Sequence, residues 1–250
     1  MKRLALAALI TAVLCPAAGT AQTMYDFERP VWGPRLRVTP FVGFAAAASR
    51  IERWSVTSIS GGTSRQEWDV SMAAGPVAGL TVEKQVFERF AVAVSGAVVS
   101  RGKTVEHQTG DAQLFEYKGS NFLFAKAVGL VRLREEVSEI QVHTMTGSLF
   151  FGPAWVREMP KADSFMSPVR LEPLNHWGLS FGFDAEIPLP FDRLSFTAGL
   201  EDYVIWWNTT EIARRNDAVI AANGGESLSF VESGPSHNLL FRAGLSVRFR

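Results

Sequence analysis

The carboxyl-terminal segment, residues 237–250, constrains the fold most, because apolar and polar residues alternate along its length. Side chains point to opposite faces of a β-strand in turn, so this pattern gives a strand one apolar face and one polar face. The apolar face carries Leu239, Phe241, Ala243, Leu245, Val247 and Phe249, and the polar face includes Arg242, Arg248 and Arg250. The segment therefore predicts a long amphipathic strand at the end of the chain.

Seven earlier segments show related alternation, which predicts eight strands in all. The predicted strands are 36–48, 68–82, 90–100, 122–133, 143–156, 177–187, 193–206 and 237–250. The connections between them alternate between long and short, and the long ones are 49–67, 101–120, 157–175 and 207–236. The two faces of strand 122–133 are hard to rank. Pro76 lies inside the second predicted strand although proline cannot donate to a ladder, and a bulge at Gly75–Pro76 is one way to accommodate it.

The last strand resembles the C-terminal assembly signal of bacterial outer-membrane β-barrels. Arg242, Gly244, Val247 and Phe249 fit the polar, glycine, apolar and aromatic positions of that signal, whereas Arg250 departs from it. The chain as a whole resembles the small outer-membrane barrel family (the OmpA, OmpX and OmpW kinds), in which periplasmic turns are short and external loops long. The resemblance implies an all-β, eight-stranded antiparallel up-and-down transmembrane barrel over residues 35–250. It also implies recognition of the last strand by the barrel-assembly machinery.

A soluble eight-stranded barrel of the lipocalin type would reverse the faces, with apolar residues inside and polar residues outside. The polar faces here are rich in Gly, Ser, Ala and Thr, and Lys is scarce within the predicted strands. Small residues suit a crowded lumen better than a solvated exterior. We therefore expect the apolar faces to contact lipid and small side chains to fill the lumen.

The amino terminus is typical of a cleaved signal peptide over residues 1–21. Lys2 and Arg3 precede the apolar run 4–14, and small residues lead to a predicted cleavage before Gln22. Acylation at Cys15 is the alternative, although Leu14 and Pro16 fit it poorly. Residues 22–34 then form a short periplasmic lead. Basic and acidic residues balance at 25 each, so nothing indicates a nucleic-acid partner. The predicted location is the Gram-negative outer membrane.

Five of the seven tryptophans fall at predicted strand ends beside long loops. They are Trp68, Trp155, Trp177, Trp206 and Trp207. Tryptophan is enriched where a membrane meets water, so these residues predict an aromatic girdle. The alternative is that aromatic residues simply favour strands.

Charged residues on the lumenal faces need partners. Pairing Trp206 with His237 in the last hairpin would place Glu201 opposite Arg242, and this predicts a structural ion pair in the lumen. The alternative is separate solvation of the two groups by trapped water.

The sequence contains no complete catalytic, cofactor or metal pattern. Ser236 and His237 are adjacent, so on a strand their side chains would point to opposite faces, unlike a serine and its general base. No two histidines have metal-ligand spacing, and no Gly-rich phosphate loop follows a strand. In the longest loop, 210–222 could form a helix, or Asn223–Gly224 could turn a hairpin that extends the last two strands. The helix is the preferred interpretation.

Three functional hypotheses follow from this reading. The first is a structural or surface-interaction protein whose external loops meet a partner that the sequence does not identify. The second is a narrow, porin-like pore or transporter for small solutes, which eight strands leave little room for. The third is a lipid-modifying enzyme. Outer-membrane lipid is the partner common to all three.

Overall fold

A computed structural model of the protein describes residues 36–58, 64–87, 89–107, 114–133, 145–160, 172–191, 193–222 and 227–249. The predicted signal peptide and periplasmic lead lie outside these residues, as do Asn223, Gly224 and Arg250. Within the described residues, no helix is both long enough and apolar enough to cross a membrane.

Eleven strands and one long helix make up the described chain. The strands are β1 (Leu36–Ala47), β2 (Glu52–Ser58), β3 (Ser64–Met72), β4 (Gly75–Gln85), β5 (Phe90–His107), β6 (Leu114–Leu133), β7 (Thr146–Pro160), β8 (Leu174–Pro188), β9 (Leu194–Trp206), β10 (Ser227–Glu232) and β11 (Ser236–Phe249). The helix, α1 (Thr209–Ala222), lies between β9 and β10.

Eight of these strands close into a barrel. The order β1-β4-β5-β6-β7-β8-β9-β11 is antiparallel at every step, and β11 pairs with β1 to complete the circle. Leu36 is the register partner of Phe249, so the first and last barrel strands meet along their whole length. The predicted fold class is confirmed: the chain forms an all-β, closed, eight-stranded antiparallel barrel.

The two ends of the barrel differ. The β4–β5 and β8–β9 connections are short, and they lie at the same end as Leu36 and Phe249; we call this the turn end. The opposite end carries the long connections, and we call it the loop end. The alternation of long and short connections therefore follows the prediction wherever the structure describes them.

The apolar residues on the barrel strands face outward. Large side chains that are exposed on the outer face include Val42, Phe44, Leu80, Val92, Val94, Phe151, Phe181, Leu200 and Phe241. Burial alternates strictly along β5 from Ala91 to Ser100, with the valines at 92, 94 and 98 exposed. A soluble barrel has the opposite arrangement, so the expected orientation of the faces is confirmed.

The second predicted strand, 68–82, is wrong as a single element. Residues up to Met72 belong to β3, the chain leaves the strand conformation at Ala73 and Ala74, and β4 begins at Gly75. Pro76 is therefore the second residue of a strand, where a missing N–H donor interrupts the ladder least. The mid-strand proline marks a strand boundary and needs no bulge.

The predicted loop 49–67 contains β2 and part of β3, and these strands extend the barrel sheet beyond the loop end. β3 pairs with the outer part of β5 from Met72↔Lys103 to Trp68↔His107, β2 pairs with β3, and β10 pairs with β2. We call β10, β2, β3 and the outer ends of β5 and β6 the extension sheet. A polar composition is compatible with a solvated sheet as well as with a loop, so composition alone does not predict the extension sheet.

Helix α1 confirms the preferred prediction for the longest loop. Asn208 caps its first turn, because its Oδ1 accepts a hydrogen bond from the backbone N–H of Glu211 at 3.3 Å. The strand that follows α1, β10, pairs with β2 rather than extending β9 and β11. The alternative hairpin extension of the last two strands is therefore wrong.

Candidate functional site

The middle of the lumen holds a cluster of four charged residues contributed by four strands. Lys126 Nζ lies 2.5 Å from Glu201 Oε1, and both side chains are almost fully buried. Arg242 donates to both carboxylate oxygens of Asp184, with Nη2 to Oδ2 at 2.6 Å. Two positive and two negative groups are thus matched inside the barrel, which is what buried charges require.

The predicted partners Glu201 and Arg242 belong to this cluster, at longer range than their neighbours. Arg242 Nη1 lies 3.8 Å from Glu201 Oε2, whereas Arg242 and Asp184 are in direct hydrogen-bond contact. The predicted register is wrong, because His237 pairs with Val204 and Arg242 lies opposite Gly199. The error is two residues, an even number, so every side chain keeps the face that the sequence assigned to it.

Gly199 makes room for the Asp184–Arg242 pair. A Cβ atom at this position would lie 1.9 Å from Asp184 Oδ1 and 2.9 Å from the backbone oxygen of Phe183. Any larger residue would therefore displace the carboxylate that holds Arg242. Gly199, on the lumenal face of β9, therefore supports the charged cluster by leaving space for it.

A second charged network lies nearer the turn end. Arg37 contacts both Glu83 and Glu186, Arg132 contacts Glu83, and Arg248 contacts Glu186. These residues come from β1, β4, β6, β8 and β11, so the network ties together five of the eight barrel strands. Arg37, Glu83 and Glu186 are buried. The predicted lumenal ion pair included none of these residues, because their contacts depend on which strands the closed barrel brings together.

The half of the lumen toward the loop end is filled by an apolar core, which we call the loop-end plug. Its large members are Phe41, Phe122, Phe124, Tyr203, Ile205, Trp207 and Ile212. The rings of Phe124 and Tyr203 meet edge to face with centroids 4.8 Å apart, a favourable aromatic geometry. The expectation that small residues fill the lumen is therefore wrong for this half.

Helix α1 closes the plug from the loop end. Ile212 is fully buried, and Arg215 Nη1 lies 3.2 Å from Glu158 Oε2 on β7. At the start of the helix, the backbone N–H of Asn208 donates to His176 Nδ1 at 3.1 Å. His176, which lies between a predicted loop and a predicted strand, is a buried residue of β8, and its ring packs against that of Trp207.

A small cavity remains between the charged cluster and the turn-end network. Its volume is about 20 Å³, and its lining includes Arg37, Thr39, Lys126, Phe150 and Arg242. This space holds about one water molecule. Along the part of the lumen that the structure describes, the barrel is filled with side chains.

The tryptophans of the predicted girdle divide between two environments. Trp155, Trp177 and Trp206 are register partners on β7, β8 and β9, and they form one row on the outer face. Trp177 and Trp206 are exposed. The prediction is wrong for Trp207, which is buried and donates from Nε1 to Ser236 Oγ at 2.7 Å. The side chain of Trp68 lies outside the described residues.

The residues of the predicted assembly signal all lie on β11. Arg242 points into the lumen, and Phe249 is exposed on the outer face at the turn end. Gly244 passes close to β1, where an added Cβ would lie 2.4 Å from the backbone oxygen of Pro40. Recognition of this strand during assembly stays a prediction.

Ser236 and His237 point to opposite sides of β11, as the sequence predicted. Ser236 is buried against Trp207, while His237 is on the outer face and contacts Asp202 of β9. The sequence could not reveal this second contact, because it depends on the register of the last hairpin. Among the described residues, no group of three or more His, Cys, Asp or Glu side chains could hold a metal ion.

The fold and the filled lumen define a class, the small closed β-barrels whose apolar side faces outward. The barrel is similar to solved outer-membrane barrels. OprG from Pseudomonas aeruginosa matches with a TM-score of 0.50 and 11% identity over 87% of this chain and 97% of that one. AlkL, solved in lipid bilayers, matches with a TM-score of 0.49 and 12% identity over 92% and 97% of the two chains. No protein-family model matches the sequence. No curated protein matches it significantly.

Proposed function

We propose that this protein is an outer-membrane barrel with a structural or surface-interaction role, and that its loop end is the interaction surface. The observation that carries this proposal is the filled lumen, in which the cavity described above has room for about one water molecule. Above this lumen, the loop end carries the extension sheet and α1. A barrel built mainly to transport solutes needs a passage, whereas a barrel built to present a surface does not.

The outer face supports the membrane location. Side chains such as Phe44, Val94, Phe151 and Phe241 are about half or more exposed, and this exposure would be costly in water over so large an area. A closed sheet has no unpaired edge, so its backbone groups are satisfied within the bilayer. In this proposal, outer-membrane lipid is the partner of the apolar belt, and the assembly machinery is the partner of β11.

The extension sheet supplies charged surface outside the belt. Arg53 Nε donates to Asp69 Oδ1 at 2.8 Å, and Arg50 Nη1 donates to the same oxygen at 3.0 Å. The hydrogen bond from Arg53 holds the pKa of the Asp69 carboxyl below its ordinary value. On α1, Arg214 pairs with Glu211 in the open. These groups give the loop end a polar, ordered surface of the kind that a protein or glycan partner could contact.

Cysteine labelling on intact cells tests the orientation. The only native cysteine, Cys15, lies in the segment predicted to be cleaved, so the mature chain offers no background reaction. Arg214→Cys places a thiol on the exposed face of α1, and Arg89→Cys is the matched control in a short connection at the turn end. A membrane-impermeant maleimide should label the first variant in intact cells and the second only after lysis. Labelling of the Arg89→Cys variant in intact cells would contradict the proposal.

Planar-bilayer recording tests the surface role against the pore alternative. Purified, folded protein should add no resolvable current steps to the bilayer, because the plug blocks the lumen. Reproducible single-channel current steps from the wild-type protein would contradict the surface role and support the pore alternative.

A further inference from the structure

The outer face of the barrel carries one polar pair that the proposed role does not use. His237 on β11 and Asp202 on the neighbouring strand β9 contact each other, with Nδ1 to Oδ2 at 2.6 Å. The side chain of Asp202 is 12% exposed, and that of His237 is 48% exposed. The carboxylate is thus shielded while the imidazole is open to the surroundings.

Asp202 is fixed in place by more than the imidazole. Its Oδ1 accepts a hydrogen bond from the backbone N–H of Asn238 at 3.0 Å. When Nδ1–H donates to this carboxylate, the other ring nitrogen, Nε2, is the one that can accept a proton. This is the arrangement in which a carboxylate orients a histidine as a general base.

The pair lies where the apolar outer face ends. Asp202 has Leu239 and Phe181 as its register partners, and Phe181 is exposed among the apolar side chains of the belt. Toward the loop end, Trp206 follows on the same face of β9, and tryptophan is typical of the membrane–water boundary. The ester linkages of membrane lipids lie at this boundary, between the acyl chains and the polar head groups.

We propose that His237 and Asp202 form a hydrolytic site for carboxylic esters of membrane lipids. His237 Nε2 takes a proton from a water molecule as the water oxygen attacks the ester carbonyl carbon. When the tetrahedral intermediate collapses, the carbon–alkoxy bond breaks and Nε2 returns the proton to the departing alcohol. The products are a fatty acid and the lipid alcohol. Asp202 is a positioning residue that holds the ring and stabilises the transient imidazolium.

Water is the nucleophile in this proposal. Ser236 points into the lumen, where its Oγ accepts from Trp207. Ser49 Oγ accepts the backbone N–H of His237 at 2.8 Å, and among the described residues no hydrogen bond joins the Ser49 hydroxyl to the His237 ring. The site therefore differs from a serine hydrolase, and no acyl-enzyme should accumulate.

Purified protein in detergent micelles tests the site without requiring a cell envelope, so the result is independent of the proposed surface role. The probes are p-nitrophenyl laurate in micelles and phosphatidylethanolamine vesicles, with release of nitrophenol or fatty acid as the measurement. His237→Asn should lower kcat by ~100-fold or more, the contribution of a general base. Asp202→Asn should lower kcat while KM changes less than about twofold, the signature of lost transition-state stabilisation. Asn175→Ala, an exposed substitution at the loop end of β8, is the control and should retain full activity.

Heat-dependent gel mobility shows that each variant is folded before its activity is compared. The proposal would be overturned if wild-type protein hydrolysed both probes no faster than folded His237→Asn protein. Equal activity on p-nitrophenyl acetate and on the laurate ester would overturn the lipid assignment. Detection of a covalent acyl-enzyme would overturn water as the nucleophile.

Discussion

Replacing Glu201 by Gln tests how the lumenal charges stabilise the barrel. Gln has nearly the same shape as Glu, so the change removes a charge without creating a cavity. It leaves the Lys126 ammonium, 1% exposed, without the anion that lies 2.5 Å away. Ser180, which donates to Glu201 Oε1 at 2.7 Å, can still donate to the amide oxygen. The substitution therefore isolates the loss of charge pairing.

The magnitude follows from the burial of the two groups. Removing one partner of a buried ion pair costs about 3–5 kcal/mol, because the remaining charge stays desolvated. Removing the other partner, by Lys126→Met, should lower the free energy of unfolding less. Glu201 then still has Arg242 at 3.8 Å and the hydrogen bond from Ser180. The double variant should cost less than the sum of the two single changes, with a coupling free energy of about 1–3 kcal/mol.

Reversible urea unfolding in lipid vesicles, followed by tryptophan fluorescence, gives the free energies of unfolding for the four proteins. Glu211→Gln on the exposed face of α1 is the control and should leave the unfolding midpoint unchanged. Single-variant losses that add within about 0.5 kcal/mol would refute direct pairing in the lumen. A larger loss for Lys126→Met than for Glu201→Gln would refute the role given to Arg242 as a second partner.

Three further predictions concern single positions. Gly199→Ala should destabilise the barrel by about 1–3 kcal/mol because its Cβ meets the lumenal carboxylate, while Gly129→Ala, with nothing within 4 Å, should unfold at the wild-type urea concentration. Trp207→Ala should lower the free energy of unfolding by about 3–5 kcal/mol, and Trp206→Ala should lower it much less. Brominated lipids should quench the fluorescence of Trp206 but not that of the buried Trp207. The opposite quenching pattern would contradict the assignment of these two side chains to opposite faces. Because the folded pKa of Asp69 is lowered, its stabilisation of the extension sheet is present above the ordinary carboxyl pKa and is lost as pH falls through the lower folded value. Asp69→Asn should therefore increase proteolysis of that sheet at pH 7, and the difference from wild type should shrink in strong acid; a pH-independent difference would contradict this account.

Strand alternation predicted the barrel strands, and their number, the connection lengths and the family resemblance predicted the barrel. A period of two keeps alternate residues on one face even when strand ends or register are misplaced. The last hairpin demonstrates this: its register was misjudged by two residues, yet Arg242 and Glu201 still face the lumen. The same rule argues against one part of the predicted aromatic girdle. Trp206 and Trp207 are consecutive, so their side chains could not both lie on the outer face of a regular strand.

Other features depend on three-dimensional contacts that one sequence does not contain. Lys126 was not selected, because both faces of its strand are apolar enough to pass for the outer one; only closure of the barrel brings it to Glu201. Asp202 is paired with His237 by the register, and that register is set by the packing of the whole sheet. The extension sheet consists of polar segments, and the pairings that attach it, β3 with β5 and β10 with β2, join residues far apart in the sequence; local patterns therefore indicate a loop.

The pairing of β1 with β11 also sets the order in which the protein can mature. β1 precedes the other barrel strands in the sequence, but its second partner, β11, follows all of them. Until β11 pairs, a sheet formed by the other barrel strands has two open edges, on β1 and on β9, each able to join a neighbouring chain. A chain that lost its last strand through truncation would keep both edges permanently, and we expect it to be removed by envelope proteases rather than inserted. β11 thus determines when, as well as whether, both edges of the barrel sheet are closed.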